Sequence, residues 1–373
     1  MKKVVVLGAG LIGRTIALEL SKDYQLTAVD SNSDQLKTLS DKKINTLNAD
    51  LSSDTEIKKV IKDCDLVIGA LPGFMGFSAL KSIIEAGKNV VDISFFPEDP
   101  FLLDDLAKEK GVTAIVDCGV APGLANIILG YHNQKMKISD YRCFVGGLPY
   151  KRDWPFEYKA FFSPIDVIEE YTRTARIVVE GKIVERPALS DPEINSYKEV
   201  GDLEAFNTDG LRSLMKTMKI PNMIEKTMRY PGHIDLMKIF REVGFFNEKE
   251  IDVNGKTIRP IDLTAKLMFP FWSPEKGEKD FTLLEVYIKG ESDSKETSHH
   301  YFVFDNYDST DDNSSMARTT GFTCCAAARY LLDNNYNRKG ICPPEYLGED
   351  ENSFNFIVFY LRNKGIRIDY TKK

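Results

Sequence analysis

Residues 2–20 read KKVVVLGAGLIGRTIALEL. An apolar run ends in a glycine-rich turn, and a helical pattern follows. The glycines fall at Gly8, Gly10 and Gly13, the spacing G-x-G-x-x-G. In a strand–turn–helix unit each has its own task. Gly8 allows the tight turn, Gly10 lets the backbone approach a pyrophosphate, and Gly13 lets the helix pack against the strand. Leu11 and Ile12 complete the turn, and the helix start offers free N–H groups to phosphates. A second strand, LTAVD, ends in Asp30, close to the expected offset of about 20 residues. A carboxylate there accepts hydrogen bonds from adenosine ribose hydroxyls and repels a 2′-phosphate. The cofactor is therefore read as NAD rather than NADP.

The pattern continues beyond this unit. INTLNAD reads as a third strand, which brings Asp50 and Leu51 toward the adenine side. DLVIGALPG is a fourth, and its exit, Ala70, Leu71 and Pro72, is expected over the cofactor. NVVDIS and VTAIVDCG are a fifth and a sixth, and they carry Asp92 and Asp117. Alternating strands and helices predict an α/β doubly wound parallel sheet, whose ligands bind beyond the carboxyl ends of the strands. That rule places Asp92 and Asp117 at the nicotinamide end. Each could equally cap its own turn.

After residue 120 the periodicity changes. YRCFVGGLP, RIVVEGKIVERP, FTLLEVYIKGES and HHYFVFDNYD read as strands of an antiparallel sheet with a few helices, an α+β domain. Helical periodicity returns near MARTTGFTCCAAARYLL. The expected organisation is a Rossmann domain over 1–120, an inserted α+β domain over 121–313, and a C-terminal segment, 314–373, that returns to the first domain.

Composition limits the function. The chain has 373 residues, 43% hydrophobic and 28% charged, enough for two full cores. Its 49 basic and 56 acidic residues give a net charge of −7, which argues against nucleic acid and anionic membranes as partners. The six cysteines show no C-x-x-C spacing and read as reduced thiols of a cytoplasmic protein, with no metal site expected. The tandem His299-His300 lies on a strand, so the two rings point to opposite faces and receive no role.

The stretch TMRYPGH, 227–233, surrounds a Pro-Gly turn with Arg229, Tyr230 and His233. Arg229 could grip a carboxylate with its planar fork. His233 or Tyr230 could move a proton. The plainer reading is an internal ion pair for Arg229 and a packing role for His233. In FEYKAFFSP, Glu157 or Tyr158 could face a cationic substrate.

Taken together, LGAGLIG (7–13), DCGVAPGLANIILGY (117–131), VGGLP (145–149), EYKAFFSP (157–164), LEAFNTDG (203–210), RYPGH (229–233) and SSMARTTGF (314–322) resemble the saccharopine dehydrogenase family, most of all its lysine 6-dehydrogenase branch. The resemblance spans essentially the whole chain. It implies a Rossmann domain completed by the C-terminal segment, an inserted domain for substrate and dimer contacts, and hydride transfer at a carbon bearing an amine. It implies that RYPGH lines the substrate cleft. Arg229 would then hold the α-carboxylate, His233 and Tyr230 would handle protons, and Asp117 and Glu157 would attract the amine. The expected reaction is NAD-dependent oxidation of the lysine ε-amine to the semialdehyde, which cyclises, with release of ammonia. Saccharopine or another carboxyalkylamine is the alternative substrate, and a catalytically silent NAD-binding protein is the alternative of another class. Arg173 has no assigned place.

Overall fold

The structure, a computed structural model, describes every residue except Asn334. The chain divides into two compact units: residues 1–135 with 316–366, and residues 136–315 with 367–373.

The first unit is built on strands β1 (Lys3–Leu7), β2 (Gln25–Asp30), β3 (Asn45–Asn48), β4 (Leu66–Gly69), β5 (Val90–Asp92) and β6 (Thr113–Ile115). They lie in the order β6-β5-β4-β1-β2-β3, all parallel, and the late strand Gly340–Cys342 adds a seventh beside β6. The order reverses at β1, the switch point where such sheets bind ligands. Val4, Val5, Val6 and Leu7 are all buried, because a parallel strand is covered on both faces. Each such side chain contributes about 1.5–3 kcal/mol by leaving water.

The expected boundary at 120 lies instead at 135/136. The helix Leu124–Asn133 belongs to the first unit, where it packs against the helix Pro344–Glu349. The contact is tight enough that a Cβ on Gly130 would meet the Glu345 carbonyl oxygen at 2.0 Å. The return of the chain is also shorter than expected. The last strand, Arg367–Lys372, pairs with Lys295–Asn306 and so joins the second unit.

The second unit carries a nine-stranded sheet centred on β7 (Lys137–Pro149). It is antiparallel except where the strand Asn222–Arg229 runs parallel to β7. Strands Asp280–Ser292 and Lys295–Asn306 form its long hairpin. Helices Pro164–Thr172, His233–Val243 and Pro260–Trp272 contribute to one core with Phe144, Leu148, Phe206, Met228 and Phe281.

Candidate functional site

The glycine loop lies between β1 and the helix α1 (Leu11–Leu20). Gly8 has φ +99°, and a Cβ there would meet the Ala70 oxygen at 2.3 Å. A Cβ on Gly13 would meet the Gly8 oxygen at 2.0 Å. Gly10 differs from both, because its Cβ would meet nothing within 4 Å. Two glycines are thus required by packing within the protein, and the third faces open space where a ligand can approach. No side chain caps α1, so its first N–H groups remain available to an anion. These features fit a dinucleotide.

Asp30, at the end of β2, accepts a hydrogen bond from Ala9 N at 2.7 Å through one oxygen and from Asn32 N at 2.8 Å through the other. The carboxylate is fixed to the glycine loop itself. Asp50 is exposed and accepts from Ser52 N and Oγ, at 2.9 and 2.7 Å, and these bonds hold its pKa below the ordinary range. Leu51 is buried beside it. Ala70 and Leu71 follow the end of β4, and Pro72 precedes the helix Gly73–Glu85. Asp92 is buried and accepts from Ser94 N at 2.8 Å, while its carboxylate occupies the space a side chain at residue 69 would need. Asp117 is buried with φ +53°, a left-handed turn after β6.

In the second unit the RYPGH stretch ends a strand and starts a helix. Gly232, at φ +95°, makes the turn that brings His233 to the first helical position. Arg229 is buried, and three of its five N–H groups are engaged. Nε donates to the Tyr171 hydroxyl at 3.1 Å, Nη1 to the Met228 carbonyl at 2.9 Å, and Nη2 to Glu170. Its guanidinium lies 4.4 Å from the Tyr158 ring centroid, a cation–π contact. His233 donates Nδ1–H to the Phe156 carbonyl at 2.9 Å, which leaves Nε2 to accept from Tyr171 at 3.0 Å. Burial, and then the Arg229 charge, push the His233 pKa down to about 3, so the ring is neutral near pH 7.

Tyr230 points away from this group. Its hydroxyl donates to the Pro149 carbonyl at 2.9 Å and its ring lies under Arg152. Burial pushes its pKa up to about 12. Glu157 pairs with the same Arg152, which donates from Nε at 2.7 Å. The structure therefore assembles two groups: Arg229, His233 and Tyr158 with Glu170 and Tyr171, and Tyr230 and Glu157 with Arg152. Arg173 pairs with Glu169 at 3.2 Å.

Sequence reasoning missed Glu170 and Tyr171, adjacent residues near the end of the helix Pro164–Thr172. It also missed Glu225. This residue is buried, accepts from the Thr208 hydroxyl at 2.6 Å, and has a pKa pushed up to about 8 by burial. Its strand, NMIEKTMR, mixes polar and apolar residues, so no signal in the sequence singled it out. The two histidines of the tandem do diverge. His300 Nε2 lies 2.8 Å from Glu285, and His299 Nδ1 lies 2.8 Å from the Tyr370 hydroxyl. Glu285 also accepts from Tyr197 and Tyr287 beside a cavity of about 470 Å³. No helix among the described residues is long and apolar enough to cross a membrane.

A Rossmann unit with this loop, joined in one chain to a separate α+β unit, defines a dinucleotide-binding protein. Residues 4–115 match the family model of the saccharopine dehydrogenase NADP binding domain, and residues 115–366 match that of the saccharopine dehydrogenase C-terminal domain. The chain belongs to the saccharopine dehydrogenase family.

Among curated proteins it is 26% identical over 267 residues to the mitochondrial alpha-aminoadipic semialdehyde synthase of Rattus norvegicus, covering 66% of this chain and 29% of that protein. It is 24% identical to the NADP(+), L-glutamate-forming saccharopine dehydrogenase of Pyricularia oryzae, covering 72% of this chain and 63% of the relative. The chain thus spans less than two thirds of either relative. It is 22% identical to the carboxyaminopropylagmatine dehydrogenase of Synechocystis, covering 94% of both. The apo saccharopine dehydrogenase (L-Glu forming) of Saccharomyces cerevisiae shares the fold, with a TM-score of 0.80 at 18% identity over all of both chains.

Proposed function

We propose that the chain is an NAD-linked dehydrogenase that oxidises a C–N bond of an amino acid. One observation carries this reading: the Asp30 carboxylate is tied to Ala9 N, and so stands fixed beside a glycine loop shaped for a dinucleotide. A carboxylate at that place favours ribose hydroxyls and disfavours a 2′-phosphate. Gly8 to Gly13 would hold the pyrophosphate, with Asp30, Asp50, Leu51, Ala70, Leu71, Pro72 and Asp92 around the rest of the cofactor. When bound, nicotinamide would supply the hydride acceptor for oxidation at the carbon that carries the amine.

The remaining work falls to the chain's own groups. Two N–H groups of Arg229 are left by its internal bonds, enough to take a substrate carboxylate. The guanidinium is already locked by Glu170 and Tyr158, so little side-chain entropy is lost on binding. Both nitrogens of His233 are committed, so it acts through Tyr171 and holds that hydroxyl's proton on the imidazole side. Tyr230 and Glu157, in the second unit, are assigned to orienting the amine end, and Asp117, in the first, to the nicotinamide end of the cofactor. After oxidation, water adds to the imine and the amine leaves.

For the substrate, the sequence supports the lysine ε-amine. A second reading, a secondary amine such as saccharopine or another carboxyalkylamine, is supported by the names of the relatives. NADH formation with lysine and with saccharopine, each against NAD and NADP, separates the two. We further propose a cytoplasmic homodimer. All six cysteines are free and buried, as suits a reducing compartment.

A further inference from the structure

A cavity of about 470 Å³ lies on the nine-stranded sheet of the second unit. Arg142 and Phe144 line it, and in the parallel pairing they stand beside Ile224 and Lys226. Side chains alternate faces along a strand, so Arg229, three residues beyond Lys226, points from the opposite face. All the lining residues belong to the second unit, and none belongs to the group around Arg229 and His233. The cavity therefore takes no part in the proposed reaction. Tyr287, paired with Arg142 on one side and His300 on the other, stacks its ring on the His300 ring at 4.4 Å.

The charges that line the cavity balance in number but not in pairing. Asp140, Glu193 and Glu285 stand against Arg142, Lys289 and Lys373. Arg142 pairs with Glu193 at 3.3 Å, and Lys289 with Glu296 at 2.8 Å. Glu193 also takes Lys226 at 2.6 Å. Asp140 and Glu285 are left without a lysine or arginine, against the exposed Lys373. Glu285, buried, is held by the hydroxyls of Tyr197 and Tyr287 and by His300. Asp140 is half-buried, and among the described residues it has neither a hydrogen bond nor an ion pair. Burial raises its pKa, and the charges of Arg142 and Lys289 only oppose that rise. The Asn195 side chain also lines the cavity, and its buried Nδ2 has no hydrogen-bond partner. A carboxylate drawn out of water and an amide donor left unbonded both cost free energy, which a ligand with the matching groups offsets.

We infer that this cavity binds a small organic ammonium that also carries a hydrogen-bond acceptor. Asp140 holds the cation, and Asn195 donates to the acceptor. The volume suits an organic molecule rather than a bare ion. No group of His, Cys, Asp and Glu among the described residues is arranged to hold a metal. A simple anion is disfavoured, because Arg142 and Lys289 already have carboxylate partners.

A ligand-observed NMR titration of the full chain with 5-aminopentan-1-ol tests this. The probe has an ammonium and a hydroxyl but no carboxylate for Arg229. Saturable binding below about 10 mM is expected, a modest strength for a molecule of its size. Pentan-1-ol, which lacks the charge, should bind at least about tenfold more weakly, the effect of one charged hydrogen bond. Asp140→Asn should weaken the amine by the same factor. Ser298→Trp, which fills the cavity from its lining, should abolish binding. Arg229→Lys should leave it unchanged, and melting curves check that each variant folds. If Asp140→Asn and Ser298→Trp both fail to fold, Asn195→Ala removes an unbonded amide without changing the charge, and it should weaken binding instead. A wild type that shows no saturation by about 10 mM overturns the site. Binding that survives both Asp140→Asn and Ser298→Trp also overturns it, whether or not Arg229→Lys removes that binding. Inorganic phosphate bound in place of the amine, and lost in Ser298→Trp, would assign the cavity to an anion and overturn the ammonium reading.

Discussion

The Tyr171 hydroxyl lies 3.0 Å from Nε2 of His233, and its proton is directed onto that ring because Nδ1 is already bonded to the Phe156 carbonyl. The same oxygen accepts from Arg229 Nε at 3.1 Å. One hydroxyl therefore satisfies two buried partners. Tyr171→Phe should leave both unsatisfied and cost about 2–4 kcal/mol, read as a lower urea midpoint with an unchanged slope. A loss below about 0.5 kcal/mol would remove the hydroxyl from the network.

His233 also sets an acid limit. Its folded pKa, about 3, lies below the unfolded value, so protons bind the unfolded chain more readily. Its contribution is complete above roughly pH 6.5 and is lost as pH falls toward 3. His233→Gln should melt lower at pH 7.5, and its melting temperature should fall less steeply between pH 6.5 and 4. Parallel wild-type and variant curves would contradict this.

Glu225 has the opposite sign. Its folded pKa, about 8, lies above the ordinary 4.5, so the folded chain retains a proton that the unfolded chain gives up. Stability from this residue is full below pH 4.5 and declines as pH rises toward 8. Glu225→Gln removes that decline. Relative to wild type, the variant should gain about 1–3 kcal/mol between pH 5 and 8. A gain in the other direction would mean that Glu225 is ionised in the folded protein.

Glu170 and Arg229 should separate stability from binding. Glu170→Gln leaves the Arg229 charge buried without its counter-ion and should cost about 3–5 kcal/mol. Arg229→Lys keeps the charge but loses the fork, so KM for the amino acid should rise while NAD affinity, set in the other unit, holds. Equal loss of NAD affinity and substrate affinity would point to general damage.

Much of this was legible in the sequence, unevenly. Gly8, Gly10 and Gly13 were readable because their task depends on local backbone geometry, which a short motif specifies. Glu170 was not, because it lies 59 residues from Arg229 and meets it only through packing of a helix on the sheet. Reading Arg229, Tyr230 and His233 as one cluster overlooked that Arg229 and Tyr230, as chain neighbours leaving a strand, point apart. The strand Gly340–Cys342 escaped because three residues before two prolines carry no period. The boundary at 135/136 was obscured because Leu124–Asn133 reads as a helix of either unit until its contact with Pro344–Glu349 is seen.

The central claim is an NAD-linked oxidation of a C–N bond governed by Asp30. It is tested most directly by NADH absorbance with purified protein, supplying lysine or saccharopine with NAD or NADP, for wild type and Asp30→Ala. Turnover is expected with one of these amines, with a clear preference for NAD. Asp30→Ala should narrow that preference and weaken NAD binding by about 1–3 kcal/mol, as charged hydrogen bonds are lost. Equal wild-type efficiency with NADP would contradict the role of Asp30. NAD binding without turnover of either amine would contradict these substrate assignments and favour a silent NAD-binding protein.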